Sequence, residues 1–129
     1  MSTLEWQESW SVGNADLDND HKRLIEIIRN IGDYRSQASD LGSLVYNLEE
    51  YTKYHFAREE KLMEAGEVPG LDAHKKKHRD FIEWVSSVRH AFTLSHEARG
   101  LMIDGVDEYL REWLTDHILK TDMSYKGLI

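Results

Sequence analysis

Apolar residues recur at three- and four-residue steps along nearly all of this 129-residue chain, and a single proline, Pro69, interrupts it. That spacing places one apolar stripe on each of several long helices. It predicts helix A from about Asp18 to Arg35, with Leu24, Ile25, Ile28 and Ile31 inward. Helix B opens near Asp40, a good N-cap type, and stops at Ala65-Gly66, with Glu67-Val68-Pro69-Gly70 as the connection. Helix C runs from about Leu71 to Phe92. Helix D begins near Ser95 or later and ends around Lys120, with Leu101, Val106, Leu110, Trp113, Leu114 and His117 on its buried side. Gly100 and Gly105 weaken its first turns. Four long helices with short connections pack as an all-α, up-down-up-down four-helix bundle. The chain reads as one domain over 1–129, with residues 1–16 as an N-terminal arm whose Trp6 and Trp10 pack back onto the bundle.

The remaining composition removes whole classes of function. A formal charge of −8 argues against nucleic acid, where clustered Lys and Arg are rewarded. There is no cysteine, so thiolate ligands, disulfides and thiol nucleophiles are unavailable. No apolar stretch is long enough to span a membrane, and the N-terminus has no signal-peptide pattern, which leads us to expect a cytoplasmic protein. No glycine-rich phosphate loop is present.

Seven histidines direct attention to metals. His55 and Glu59 are four apart on helix B, and His74 and His78 are four apart on helix C, so each pair shares one helix face. His21 on helix A and His117 near the end of helix D complete a set with one nitrogen donor or more on every helix. Asp122 lies five residues after His117. On a regular helix that is a rotation of about 140°, so Asp122 reaches the same site only if the helix tightens or frays at its end. His90 and His96 match no partner and are read as non-ligands. Glu60 and the run Lys75-Lys76-Lys77 with Arg79 read as solvated surface.

Five imidazoles and two carboxylates exceed the four ligands of one zinc and suit two metals, iron in preference to manganese or zinc. If both metals are six-coordinate and both carboxylates bridge, these groups fill nine of twelve positions. An oxo or hydroxo bridge fills two more, and one stays open for dioxygen. The Glu-x-x-His pairs of ferritin-like oxidases are absent, since none of the seven histidines has Glu three residues before it. The His-Glu-x-x-His zinc helix is absent too, because Gly100 follows His96-Glu97 where the second His would stand.

The ordered set His21, His55-x3-Glu59, His74-x3-His78, His117-x4-Asp122 resembles the hemerythrin family, in particular its single-domain bacterial members. The flanking residues Ser11-Val12-Gly13, Asp18-Asn19-Asp20-His21-Lys22-Arg23-Leu24 and Trp113-Leu114-Thr115-Asp116-His117 extend the likeness over nearly the whole chain. The resemblance implies one iron held by His74, His78 and His117, a second held by His21 and His55, and Glu59 and Asp122 bridging them. It implies reversible dioxygen binding at the iron with fewer histidines, beside a dry pocket of Leu24, Phe56, Trp113, Leu114 and Ile118. The expected role is that of an oxygen carrier, store or deliverer to an oxygen-using enzyme, and not of an enzyme. The alternatives are an oxygen or redox sensor module, and a di-iron oxidase, peroxidase or nitric-oxide-handling enzyme. Two positions depart from the family: Asp20 stands where Gln is usual, with an expected effect near His21, and Val68 where Tyr is usual.

Overall fold

The computed structural model describes residues 4–33, 38–94 and 96–129, with side chains outside 38–41 and 96–102. Four long helices account for most of it: α1 (Ala15–Asp33), α2 (Ala38–Ala65), α3 (Leu71–Leu94) and α4 (His96–Asp116). Among the described residues there is no strand. α1 packs on α2 and α4, and α3 packs on the same two, so the helices close into a four-helix bundle. No described helix is long and apolar enough to cross a membrane.

The helix ends follow local chemistry. The side-chain oxygen of Asn14 accepts the Leu17 N–H at 3.1 Å, satisfying one of the orphan donors of the first turn. α1 therefore begins three residues before the expected Asp18. Asp18 instead ties down the arm, accepting the Val12 N–H at 2.9 Å and the Ser11 hydroxyl. α2 is described from Ala38, so Asp40 lies within the helix. The expected end of helix A at Arg35, and Ser95 at the start of helix D, lie outside the described residues, as does the Leu101 side chain. Gly105 is accommodated within α4, where a Cβ would meet nothing within 4 Å.

α2 stops where expected. Gly66 leaves the helix with its N–H on the Leu62 carbonyl, and Glu67 turns the chain at φ 53°. The C-terminal tail packs against this turn so closely that a Cβ on Gly66 would stand 2.8 Å from the Leu128 carbonyl oxygen and 2.7 Å from Ile129 Cγ2. A backbone oxygen cannot rotate aside as a side chain can. Gly66→Ala should therefore cost about 1–3 kcal/mol, as overpacking does. Urea denaturation checks this, and a change near zero would show that the tail does not press on this turn.

Apolar side chains form two clusters. The larger combines Leu24, Ile25, Ile28 and Ile31 of α1 with Val45, Leu48 and Phe56 of α2, Phe81, Val85 and Phe92 of α3, and Leu110, Leu114 and Ile118. Leu4, Trp6 and Trp10 of the N-terminal arm pack against it. The smaller holds Val12, Leu17, Met63, Val68 and Tyr125. Val68, noted as a departure in the sequence, is one of its buried members. Antiparallel neighbours bring the start of α1, the end of α2, the start of α3 and the end of α4 to one end of the bundle. His21, His55, Glu59, His74, His78 and His117 all stand there.

Candidate metal centre

His21, His55, Glu59, His74, His78, His117 and Asp122 lie together in this layer, each at most 4% exposed. Helical phase delivers four of them, since His55 and Glu59, and His74 and His78, each occupy one helix face. Asp122 arrives by a different device. After Asp116 the helix widens into a π turn over His117–Thr121, and the Asp122 N–H bonds the His117 carbonyl five residues back. A 3-10 turn, Asp122–Tyr125, follows. The expected tightening or fraying is thus corrected: widening brings Asp122 back beneath His117, which regular helical phase would not do.

The carboxylate oxygens divide between two sets of histidines. Glu59 Oε2 lies 3.2 Å from His55 Nε2 and 3.6 Å from His21 Nε2. Its Oε1 lies 2.7 Å from His74 Nε2, 3.1 Å from His78 Nε2 and 4.0 Å from His117 Nε2. Asp122 repeats the division, with Oδ2 3.1 Å from His21 Nε2 and Oδ1 3.0 Å from the Nε2 atoms of both His74 and His117. Two groups of donor atoms result, each within 4.8 Å: Glu59, His74, His78, His117 and Asp122 in one, His21, His55 and Glu59 in the other.

These groups are poorly satisfied by one another. Both ring nitrogens of His21 and both oxygens of Asp122 are buried without a hydrogen bond. His78 and His117 point their Nε2 atoms at each other at 3.1 Å. Buried polar atoms are otherwise paired almost without exception. Nitrogen and carboxylate donors aimed at shared points, in a dry core without thiolate, fit non-haem iron.

The electrostatics agree. Burial pushes the His21 imidazole down, but Asp122 and Glu59 overcome it and raise the group to about 9. His74 reaches about 9 through the same opposition. His55 and His117 are also raised against the pull of burial. Burial raises Glu59, yet the surrounding His117, His21, His55 and His74 hold it well below the carboxylate range. Asp122 is held low by His117 and His21, against burial and the charge of Glu59.

A second layer of polar groups supports the first. Tyr125, fully buried, donates its hydroxyl to Glu59 Oε2 at 3.0 Å. Glu60 Oε2 lies 2.7 Å from His78 Nδ1, so it is not merely the surface charge its sequence neighbourhood suggested. Asp20 faces α2 rather than His21. Its Oδ2 lies 3.0 Å from His55 Nδ1, and its Oδ1 accepts the Tyr51 hydroxyl at 3.1 Å. Adjacent residues on a helix point about 100° apart, which sends His21 inward and Asp20 toward the neighbouring helix. The sequence marks Asp20 as unusual but carries no signal for its partner, nor for the contacts that Glu60, Tyr51 and Tyr125 make here.

The expected pocket residues Leu24, Phe56, Leu114 and Ile118 are buried, and Trp113 is partly so. Phe56 stacks flat on His78 with centroids 3.7 Å apart, and Trp113 stacks on His117 at 4.5 Å. Phe56 and Trp113 thus lay aromatic faces against the histidine layer. His90 is exposed and stands apart from both donor groups, while the His96 side chain lies outside the described residues. Lys76, Lys77 and Arg79 are exposed, as a solvated face requires.

The sequence pattern of the Hemerythrin HHE cation binding domain matches residues 12–129. The chain belongs to the hemerythrin family. It is 32% identical to a bacteriohemerythrin of Stenotrophomonas maltophilia (strain R551-3), over 97% of this chain and 80% of that protein. It is 34% identical to a bacteriohemerythrin of Pseudomonas aeruginosa (strain LESB58), with the same coverage. A myohemerythrin of Theromyzon tessulatum is 32% identical over 95% of this chain and 91% of its own length. As a hemerythrin, the chain is a non-haem iron, oxygen-binding domain. Its buried His, Glu and Asp groups form the cluster that can hold the metal.

Proposed function

We propose that this hemerythrin, a single domain over 1–129 with residues 1–16 as its arm, binds dioxygen reversibly at a pair of irons in the cytoplasm and serves as a carrier, store or deliverer rather than an enzyme. The observation that carries the reading is the division of the carboxylate oxygens. Glu59 and Asp122 each turn one oxygen toward His21 and the other toward the His74 and His117 side. His74, His78 and His117 would hold one iron and His21 and His55 the other, with Glu59 and Asp122 placed to serve both. With fewer protein donors, the His21 and His55 side would be the one open to dioxygen. Iron held there would supply reversible electron exchange with dioxygen.

The chain's own residues do the remainder. Tyr125 fixes the rotation of Glu59 by donating to Oε2. Glu60 holds the His78 ring through Nδ1. The apolar wall of Leu24, Phe56, Trp113, Leu114 and Ile118 keeps water and protons from the layer, and this protects the reduced state from irreversible oxidation. Dry surroundings also strengthen each electrostatic contact at the centre.

Purified protein should hold about two irons per chain. After anaerobic reduction it should gain ferric absorption in air and lose it under argon through repeated cycles. One iron per chain, or absorption that never reverses, would sink the proposal. Sustained turnover of peroxide or nitric oxide would instead favour an enzyme.

A further inference from the structure

His55 is held from both sides. Its Nε2 faces Glu59 Oε2 at 3.2 Å, and its Nδ1 faces Asp20 Oδ2 at 3.0 Å. Asp20 is 5% exposed and is itself fixed by two partners on α2, the Tyr51 hydroxyl at 3.1 Å and Arg58 Nε at 3.6 Å. Arg58 is braced in turn by the Tyr54 hydroxyl. A neutral imidazole carries one proton on one nitrogen, and a carboxylate against Nδ1 keeps the proton there. The Nε2 lone pair then faces the centre.

We propose that Asp20 is a positioning residue for the metal held by His21 and His55. It accepts the Nδ1–H of His55, locks that tautomer and ring angle, and places a fixed negative charge behind this ligand alone. The inference rests on the two-metal reading above. Such carboxylate–histidine–metal arrangements raise ligand basicity, and losing the outer partner typically weakens metal affinity about 10–100-fold. Glu60 holds the equivalent place behind His78 in the other donor group, at 2.7 Å. The two outer carboxylates therefore act on different metals and can be separated by experiment.

The test is titration of the metal-free full chain with cobalt(II) alone, in the absence of oxygen, followed by visible absorption. Wild type should take up two equivalents. Asp20→Ala should weaken one of them about 10–100-fold and leave the other unchanged. Asp20→Asn, whose amide oxygen still accepts from Nδ1–H, should recover most of that loss. Glu60→Ala should weaken the opposite equivalent. In zinc-loaded protein, nitrogen NMR should show the His55 proton on Nδ1 in wild type and Asp20→Asn, and a mixture of tautomers in Asp20→Ala. Should Asp20→Ala not fold, Tyr51→Phe, which removes one anchor of Asp20, should weaken the same equivalent by a smaller factor. Two normal equivalents in Asp20→Ala, equal weakening of both, or an unchanged His55 tautomer in Asp20→Ala would overturn the inference alone. Fewer than two equivalents in wild type would overturn the two-metal reading and this inference with it.

Discussion

Replacing Glu59 with alanine should empty both metal positions together. Each of its oxygens faces a different set of histidines, from Oε2 beside His55 to Oε1 beside His74. Removing a terminal ligand such as His21 takes one donor from one metal, whereas removing Glu59 takes a donor from each. The metal-free variant should also be less stable. The Tyr125 hydroxyl and several imidazoles lose their acceptor in a layer that water does not reach. A buried donor left unpaired costs about 1–3 kcal/mol. Elemental analysis of purified protein should find less than about a tenth of the wild-type metal. Urea denaturation of the metal-free forms measures the second effect. His90→Ala, at an exposed position, should match wild type in both. Retention of one metal by the Glu59→Ala variant would show that the carboxylate serves one side only.

Acidity should act in opposite directions on the metal-free and the loaded protein. His21 and His74 rise from 6.5 to about 9 in the metal-free fold. Their contribution to stability is complete below pH 6.5 and is lost as pH climbs through about 9. Glu59 and Asp122 are lowered, so their contribution is present above their ordinary values of 4.5 and 3.8 and is lost as pH falls through the lowered ones. Metal-free protein should thus be most stable between about pH 5 and 6.5 and weaken toward pH 9. A metal needs the unprotonated nitrogens and must displace those two protons at neutral pH. Affinity should then rise with pH, by up to about a hundredfold per unit between pH 7 and 9 for two protons displaced. Urea melts of both forms, with calorimetry in buffers of different ionisation heat, give the two slopes. Metal-free stability that climbs from pH 7 to 9 would contradict the charge arrangement described.

Some of this was legible in the sequence and some was not, for identifiable reasons. The i, i+4 pairs His55/Glu59 and His74/His78 could be assigned to helix faces because their helices are regular through those residues. The alternation of bundle ends followed from short connections, so the start of one helix and the end of the next could be placed together. Asp122 was different. Nothing in Ile118-Leu119-Lys120-Thr121 announces a π turn, since the same residues suit an ordinary helix, and only family likeness brought Asp122 into the set. Asp20 shows the other limit. Its neighbour along the chain is His21, but its neighbour in space is His55, and composition does not disclose contacts between helices. Glu60 failed similarly, because one acid beside another looks the same whether it faces water or a ring nitrogen.

The widened turn at His117–Thr121 makes the end of the chain sensitive to its length as well as its chemistry. Asp122 and Tyr125 both lie beyond it, so both owe their direction to one surplus residue. Deleting any one residue from 118–121 would set Asp122 four places after His117, so an ordinary helix could carry it and Tyr125 in nearly their present directions, whereas adding one residue beyond the widened turn would rotate everything downstream by about 100°. After such an addition Tyr125 would swing away from Glu59 although no side chain near the histidines had been exchanged. An added residue is thus the change this tail tolerates least, and a single deletion at the widened turn one it can absorb.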